Sequence, residues 1–253
     1  MPLLQWLESA ELGAPVTLTP PIRRDGERPR AFGLTPLHIE ASRVGNWVGA
    51  RAAGASVNCD DVRLSTHGSG THTECVGHVS DLPHTIADVA PKTLLRALVI
   101  TVAPLRAPDG DHQIHAHQLE QALAPWRDLR LDAIVIRTLQ NDESPNKDWS
   151  GTNPPYFHRD AIVTLVRRGI LHLVTDLPSI DREDDGGLLA AHRAFFGLWP
   201  KSDPARPAQA TVTELAYIPT SLPDGPGILR LDTLDWPSDA APSRPIFYPL
   251  SRR

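Results

Sequence analysis

The sequence predicts an α/β fold, and three observations carry that prediction. Leu94 to Val102 is a near-continuous apolar run, the mark of a strand covered on both faces. Downstream of it, short apolar runs alternate with segments of helical periodicity, as βαβ crossovers do. The first third instead alternates apolar with polar residues, so β-structure of another kind precedes the crossovers and a plain doubly wound sheet is not expected.

Taken in chain order, Leu3, Leu4, Trp6, Leu7 and Ala10 are spaced like a short amphipathic helix. A Pro-rich, charged loop follows to about residue 34. Leu37, Ile39 and Ala41 alternate with polar residues and suit a half-buried strand, and a second strand is expected within Val57 to Leu64. After the Leu94 run, His117 to Ala124 reads as a short helix and Ala133 to Ile136 as a buried strand. Ala161, Ile162, Leu165 and Val166 share one helical face, with Gly169 placed to end the helix. Ile170 to Val174 is a strand, Leu188 to Phe196 a helix, Thr211 to Ile218 a strand, and Gly227 to Leu231 another. The polar segment Asp142 to Pro155 reads as a long functional loop rather than a linker. With no internal repeat and no convincing boundary, one domain over residues 1–253 is expected.

Composition narrows the function. A chain of 253 residues, 41 % of them apolar, can bury a sizeable core. The net charge of -5 excludes a phosphate-backbone binder, and the basic cluster Arg23, Arg24, Arg28, Arg30 is interrupted by Asp25 and Glu27, as a solvated loop would be. Two cysteines cannot form a disulfide scaffold; both Cys59 and Cys75 read as buried structural thiols. The start, Met-Pro-Leu-Leu-Gln-Trp-Leu-Glu, lacks the basic n-region of a signal peptide, and no apolar run reaches the ~18 residues that a membrane span needs. The expectation is a soluble cytoplasmic protein acting on a small molecule, with neither nucleic acid nor membrane as partner.

The chemistry concentrates in His67-Gly-Ser-Gly-Thr-His72-Thr-Glu74-Cys-Val-Gly-His78. Neutral imidazole and carboxylate are ordinary ligands for zinc, manganese or iron(II). His72, Glu74 and His78 lie at even offsets, which on an extended chain face the same way, whereas His67 is at odd parity. Gly68-Ser69-Gly70 permits a bulge or a positive-φ turn that restores convergence. Cys75, at odd parity from His72 and Glu74, should point away. A second cluster, His112, His115 and His117, has no acid at matching parity and reads as surface loop. His38, His84, His158 and His172 have no company in sequence and take structural roles by default.

This segment resembles the signature His-x-Gly-Thr-His-x-Asp-x-Pro-x-His of the cyclase family of metal-dependent hydrolases, which includes bacterial kynurenine formamidases and isatin hydrolases. Gly70-Thr71-His72 matches the core of the signature. Glu74 stands where the family has its metal-bridging Asp, and His78 where it has the proposed catalytic acid/base. Gly169 to Asp181 resembles the family's "Gly…Asp-x-Pro-Ser-x-Asp" strand and loop, and His192 followed by Glu214 resembles the His and Glu that complete its metal site. There are departures: one more residue separates the first two histidines, Glu replaces Asp at 74, and Val76 replaces Pro.

The downstream residues make physical sense too. A carboxylate in the apolar stretch around Glu214 is costly unless paired or metal-bound, and a buried imidazole at His192 needs a partner. Asp176 and Asp181 suit orientation of imidazoles, or equally a loop or helix-cap role. Ser179 lacks a nucleophile elbow and reads as a capping or loop residue. Trp149, Tyr156, Phe157 and Trp199 are aromatic residues available to core, interface or substrate pocket.

The resemblance implies a swivelling β/β/α-type fold with a mixed sheet and flanking helices, assembled as a homodimer or higher homo-oligomer. It implies one or two divalent ions, zinc before manganese, on His67, His72, Glu74, His192 and Glu214, with His78 catalytic. The reaction implied is hydrolysis of a small amide, of a formamide such as N-formylkynurenine (an arylformamidase of tryptophan catabolism), or of a cyclic amide. The alternatives are a metal-dependent cyclase, dehydratase or isomerase, and a metal-binding homologue without turnover.

Overall fold

The apolar run at Leu94 becomes the middle of a ten-stranded mixed sheet in the computed structural model, which describes residues 10–24, 29–81, 83–89, 94–139, 146–198 and 208–252. The helix expected at Leu3 to Ala10 falls almost wholly outside the described residues, as do Arg28, Trp199 and part of the Asp142 to Pro155 loop. The strands are β1 (Ala10–Leu12), β2 (Val16–Thr17), β3 (His72–Glu74), β4 (Leu94–Val102) and β5 (Ala133–Thr138). They continue with β6 (His172–Thr175), β7 (Thr211–Glu214), β8 (Gly225–Arg230), β9 (Ala240–Pro242) and β10 (Ile246–Arg252). Their order across the sheet is β1-β10-β8-β4-β5-β6-β7-β3-β9, with β2 also on β10. β4 to β7 run parallel, and both flanks pair antiparallel.

Strict alternation along β4 and β5 builds two cores. Leu98, Ile100, Val102, Ile134 and Ile136 face one side; Ala97, Val99, Ala133 and Val135 face the other. On the first side, α2 (Ala116–Leu123), α3 (Arg159–Arg167) and α4 (Ala190–Phe195) press Leu119, Leu123, Ile162, Leu165 and Phe195 onto the sheet. On the second side Leu18, Ile218, Leu222 and Phe247 do the covering from loops and edge strands. Each such fully buried aliphatic or aromatic side chain contributes about 1.5–3 kcal/mol. This is why the run carries no polar face. A short helix, α1 (Ile86–Val89), closes a smaller cluster with Cys75 and Ala241.

Gly169 ends α3 as the periodicity requires. Its φ is +75°, its N–H donates to Val166 O at 2.9 Å, and Ile170 N–H donates to Leu165 O at 3.1 Å, the paired bonds of a Schellman cap. The strand expected from Thr211 to Ile218 stops instead at Glu214, because Leu215 takes φ +52° and turns the chain. The early strands appear as His38–Ala41 paired with Asp60–Arg63 in a separate two-stranded sheet, beside which Cys59 is exposed rather than buried.

Asp176, just after β6, is buried, and its carboxylate accepts Thr138 N–H at 2.9 Å. Burial raises it from its ordinary 3.8 to about 7 against the pull of that bond. The folded chain therefore holds a proton that the unfolded chain releases between pH 4 and 7. The contribution of Asp176 to stability is greatest below that window and is lost as pH rises through it to about 7, by roughly 4 kcal/mol in total. Asp176→Asn should remove this loss. Denaturant midpoints of the two proteins at pH 5 and pH 8 check it, and equal pH dependence in both would refute it.

Candidate metal centre

The central crossovers and the antiparallel flank meet at β7 and β3, and their register builds the site. His72 on β3 lies directly opposite Glu214 on β7, and Glu74 lies opposite Val212. Directly paired residues share a face, so the side chains of His72, Glu74 and Glu214 emerge together. Thr73, on the other face, is tied to Thr213 Oγ1 at 2.7 Å and Ser243 Oγ at 2.8 Å. That lock ties β3 to β7 and to the residue that follows Pro242, in the register the site needs.

The preceding turn brings in His67. Gly70 has φ +129°, which a side chain would strain, and a Cβ on Gly68 would meet Leu34 Cβ at 2.8 Å and Ala31 O at 3.0 Å. The parity mismatch of His67 is thus absorbed by a glycine turn. His67 Nδ1 lies 3.3 Å from Glu74 Oε2. His78 arrives differently from the parity argument, which assumed an extended chain. It sits in the 3₁₀ turn Val76–His78, with Nε2 3.8 Å from Glu74 Oε2, and its ring stacks on that of His67 at 4.3 Å. Cys75 points into the Ile86 cluster, away from the site, with Sγ 3.7 Å from His84 O.

α4 supplies His192 through its first turn. Asp181 accepts the N–H groups of Ala191 at 2.7 Å and His192 at 3.0 Å, and also meets His192 Nδ1 at 2.7 Å. One carboxylate therefore starts the helix and orients the ring. Nε2 of His192 is left facing Glu74 Oε1 at 2.6 Å and Glu214 Oε1 at 3.4 Å. His72 is set the same way: Nδ1 meets Gly70 O at 3.0 Å, and Nε2 looks toward Glu214 Oε2 at 3.6 Å.

All five metal candidates from the sequence, His67, His72, Glu74, His192 and Glu214, converge here together with His78. Asp181 takes both roles left open for it, meeting the His192 ring and accepting the first N–H groups of α4. Asp176 does not orient an imidazole: it is spent on the Thr138 backbone. Tyr156 bonds Asp111, Phe157 lies in the core, and Trp149 packs with Ala31 and Leu215, so these three go to structure. Ser179 Oγ accepts Asp181 N–H at 3.1 Å, a loop role.

One residue had no signal in the sequence. Asp239 Oδ2 lies 2.9 Å from His67 Nε2 and 3.0 Å from His78 Nδ1. It immediately precedes β9, whose pairing with β3 brings it in, and Cys75 N–H donates to Asp239 O at 2.9 Å. Only that edge pairing, far along the chain, could have revealed it.

The acids and imidazoles of the site hold one another charged against burial. Burial alone would neutralise Glu74, yet His192 and His78 hold it well below the usual carboxylate range. Burial and Glu74 push Glu214 up, and His192 and His72 bring it down. Burial would lower His67, but Asp239 and Glu74 raise it to about 10. His192 is likewise raised against burial by Glu74, Asp181 and Glu214. Among the described residues, His72 Nε2, His192 Nε2 and both Glu74 oxygens are buried without an aligned hydrogen bond, even at the 2.6 Å approach of His192 to Glu74. Buried polar atoms normally have partners. Atoms that crowd one point without bonding each other are what a metal's donors look like in its absence. The donor set of imidazoles and carboxylates fits a divalent cation. Two overlapping triplets, His67-Glu74-His78 and His72-Glu74-Glu214, share Glu74.

Asp181→Asn leaves the fold's core untouched but weakens the hold on the His192 ring. The centre's metal affinity should drop about 10–100-fold, the usual cost of losing such a supporting carboxylate. Competition with a chromophoric chelator measures it, and unchanged affinity would remove Asp181 from the site.

Known proteins share this fold. Isatin hydrolase A from Labrenzia aggregata superposes with a TM-score of 0.64 at 15 % identity, covering 98 % of this chain and 97 % of that one. A predicted metal-dependent hydrolase from Bacillus stearothermophilus gives 0.60 at 15 % identity, covering 93 % and 98 %. An isatin hydrolase bound to the product analogue thioisatinate gives 0.61 at 15 % identity over 100 % of both chains. No curated protein matches the sequence. The Cyclase family model matches residues 12–182, a span that holds the His67 to His78 segment and Asp181 and stops short of His192 and Glu214. With most of its length matched by that model and the same mixed α/β fold as its structural neighbours, this chain belongs to the cyclase family.

Proposed function

We propose that the protein is a metal-dependent hydrolase that cleaves the C–N bond of a small amide, formamide or cyclic amide. The observation that carries this reading is the convergence of His72, His192, Glu74 and Glu214 on one buried point without hydrogen bonds among the atoms that face each other. The isatin hydrolase neighbours, whose name denotes a cyclic amide substrate, support it.

His72, His192, Glu74, Glu214 and His67 would hold one or two ions, zinc before manganese. A divalent ion there supplies polarisation of the substrate carbonyl and a water whose pKa is lowered toward about 7. The chain does the rest. Water adds to the carbonyl carbon and gives up a proton to solvent, the C–N bond breaks, and the departing nitrogen needs a proton. His78 delivers it: its side chain is 28 % exposed, against 0–3 % for His72, His192, Glu74 and Glu214, so it borders the space a substrate enters. Asp239 holds Nδ1 of His78, which turns Nε2 toward the reacting centre.

Elemental analysis of purified protein, read beside turnover of isatin and N-formylkynurenine, tests the reading. His72→Ala and Glu214→Ala should each lose bound metal and turnover together. Full metal occupancy in both variants would overturn the metal centre. Tight metal binding with no hydrolysis across a broad amide and lactam panel would overturn the hydrolase.

A further inference from the structure

A second group of imidazoles lies away from this centre, and parallel strand pairing creates it. The short strand His112–Ile114 pairs in parallel with Tyr156–Phe157, matching Gln113 to Tyr156 and Ile114 to Phe157. The next matched pair is His115 and His158, and the bond from His158 N–H to Ile114 O at 2.9 Å continues the ladder to them. Each histidine is the residue before a helix, His115 before α2 and His158 before α3. Their ring centroids are 5.0 Å apart. Asp160, in the first turn of α3, places Oδ1 2.8 Å from His158 Nδ1 and 3.3 Å from Ala116 N, so it spans both helix starts. His117 stacks on the outer side of His115 at 5.9 Å. The sequence reading gave His115 to a surface loop and left His158 without company; the fold brings them together across 43 residues.

We infer that His115, His158 and Asp160 form a separate binding site for a transition-metal ion such as Zn2+, which ties the starts of α2 and α3 together. One ring nitrogen from each histidine and one carboxylate oxygen all lie within 4.8 Å of one another. Two imidazoles and one carboxylate make a set that suits zinc and its neighbours, and the half-exposed His158 and Asp160 leave water to complete the coordination. The partial positive charge of two helix starts opposes a cation there, and the full negative charge of Asp160 compensates. The 2.8 Å approach of Asp160 Oδ1 to His158 Nδ1 puts the carboxylate already in reach of an imidazole without rearranging the backbone. None of these residues touches the candidate centre on β3 and β7, so the inference stands independently of the proposed hydrolase.

The test uses the full chain, stripped of metal by chelation and titrated with Zn2+ alone. His158→Asn and His115→Asn keep a residue able to cap the helix, so the fold is retained. Each should bind one equivalent of Zn2+ fewer than the wild type. Asp160→Asn removes the carboxylate ligand and should weaken that equivalent by at least about 10-fold, the least that losing even a supporting carboxylate costs. A His72→Ala, Glu214→Ala double variant should keep it, separating this site from the centre. In the wild type, Zn2+ should also shift the imidazole resonances of His115 and His158. Equal Zn2+ uptake by the wild type and both Asn variants, or imidazole resonances that do not move, would overturn the site.

Discussion

Glu74→Gln should abolish the metal centre more completely than any other single exchange of similar size. Glu74 is fully buried, its two oxygens face different partners, and it belongs to both donor triplets at the centre. Gln keeps the shape and removes the charge. It also points an amide N–H2 at a place where His192 and His67 already present nitrogen, so the attraction for a cation falls and a donor–donor clash is added. Polarisation of a carbonyl and activation of water together amount to several kcal/mol of barrier, so hydrolysis should fall by about 10³-fold or more. Bound metal, counted per chain, should fall with it. Zn2+ should raise the unfolding midpoint of the wild type through this centre, and Glu74→Gln should lose that part of the rise. A variant with wild-type metal content and turnover would show that Glu74 is no ligand.

His78→Ala should separate metal binding from chemistry. His78 lies on a 3₁₀ turn at the edge of the site, with Nε2 at 3.8 Å from Glu74, against 2.6 Å for His192 and 3.3 Å for His67. Its ring is anchored from outside by Asp239 rather than from within. Metal content should therefore stay at the wild-type level while turnover falls by about 10²–10⁴-fold, the range of a positioned general acid. Asp239→Asn leaves the imidazole present but less firmly aimed, and its loss of turnover should be smaller than that of His78→Ala. Metal lost in parallel with activity in His78→Ala would reassign His78 as a ligand. Unchanged turnover would make it structural.

Several parts of this protein were legible in its residues alone, because short-range geometry decides them. The near-continuous apolar run Leu94 to Val102 leaves no face for solvent, and it became a central strand with a core on each face. Gly169 could only follow a helix that ends there, and it caps α3. The even offset of His72 and Glu74 places them on one face of any strand, and glycines beside His67 can turn it back toward them. The resemblance of three ordered segments added His192 and Glu214.

Other parts were decided by tertiary structure. β9 and β10 are short or Pro-interrupted, too weak in pattern to announce themselves, and exist because β3 and β8 offer them edges. Asp239 reaches His67 and His78 only through that β9 pairing. His78 faces Glu74 because the chain tightens into a 3₁₀ turn and Asp239 holds its ring, not because of parity. Asp176 and Asp181 look alike in sequence, yet one is buried against Thr138 and the other starts α4 and orients His192. The pairing of His115 with His158 depends on the register between two strands distant in the chain. Periodicity reports which face of its own element a side chain takes. Which elements then meet is settled by long-range burial and strand registry, and that is where these carboxylates and imidazoles acquired their partners.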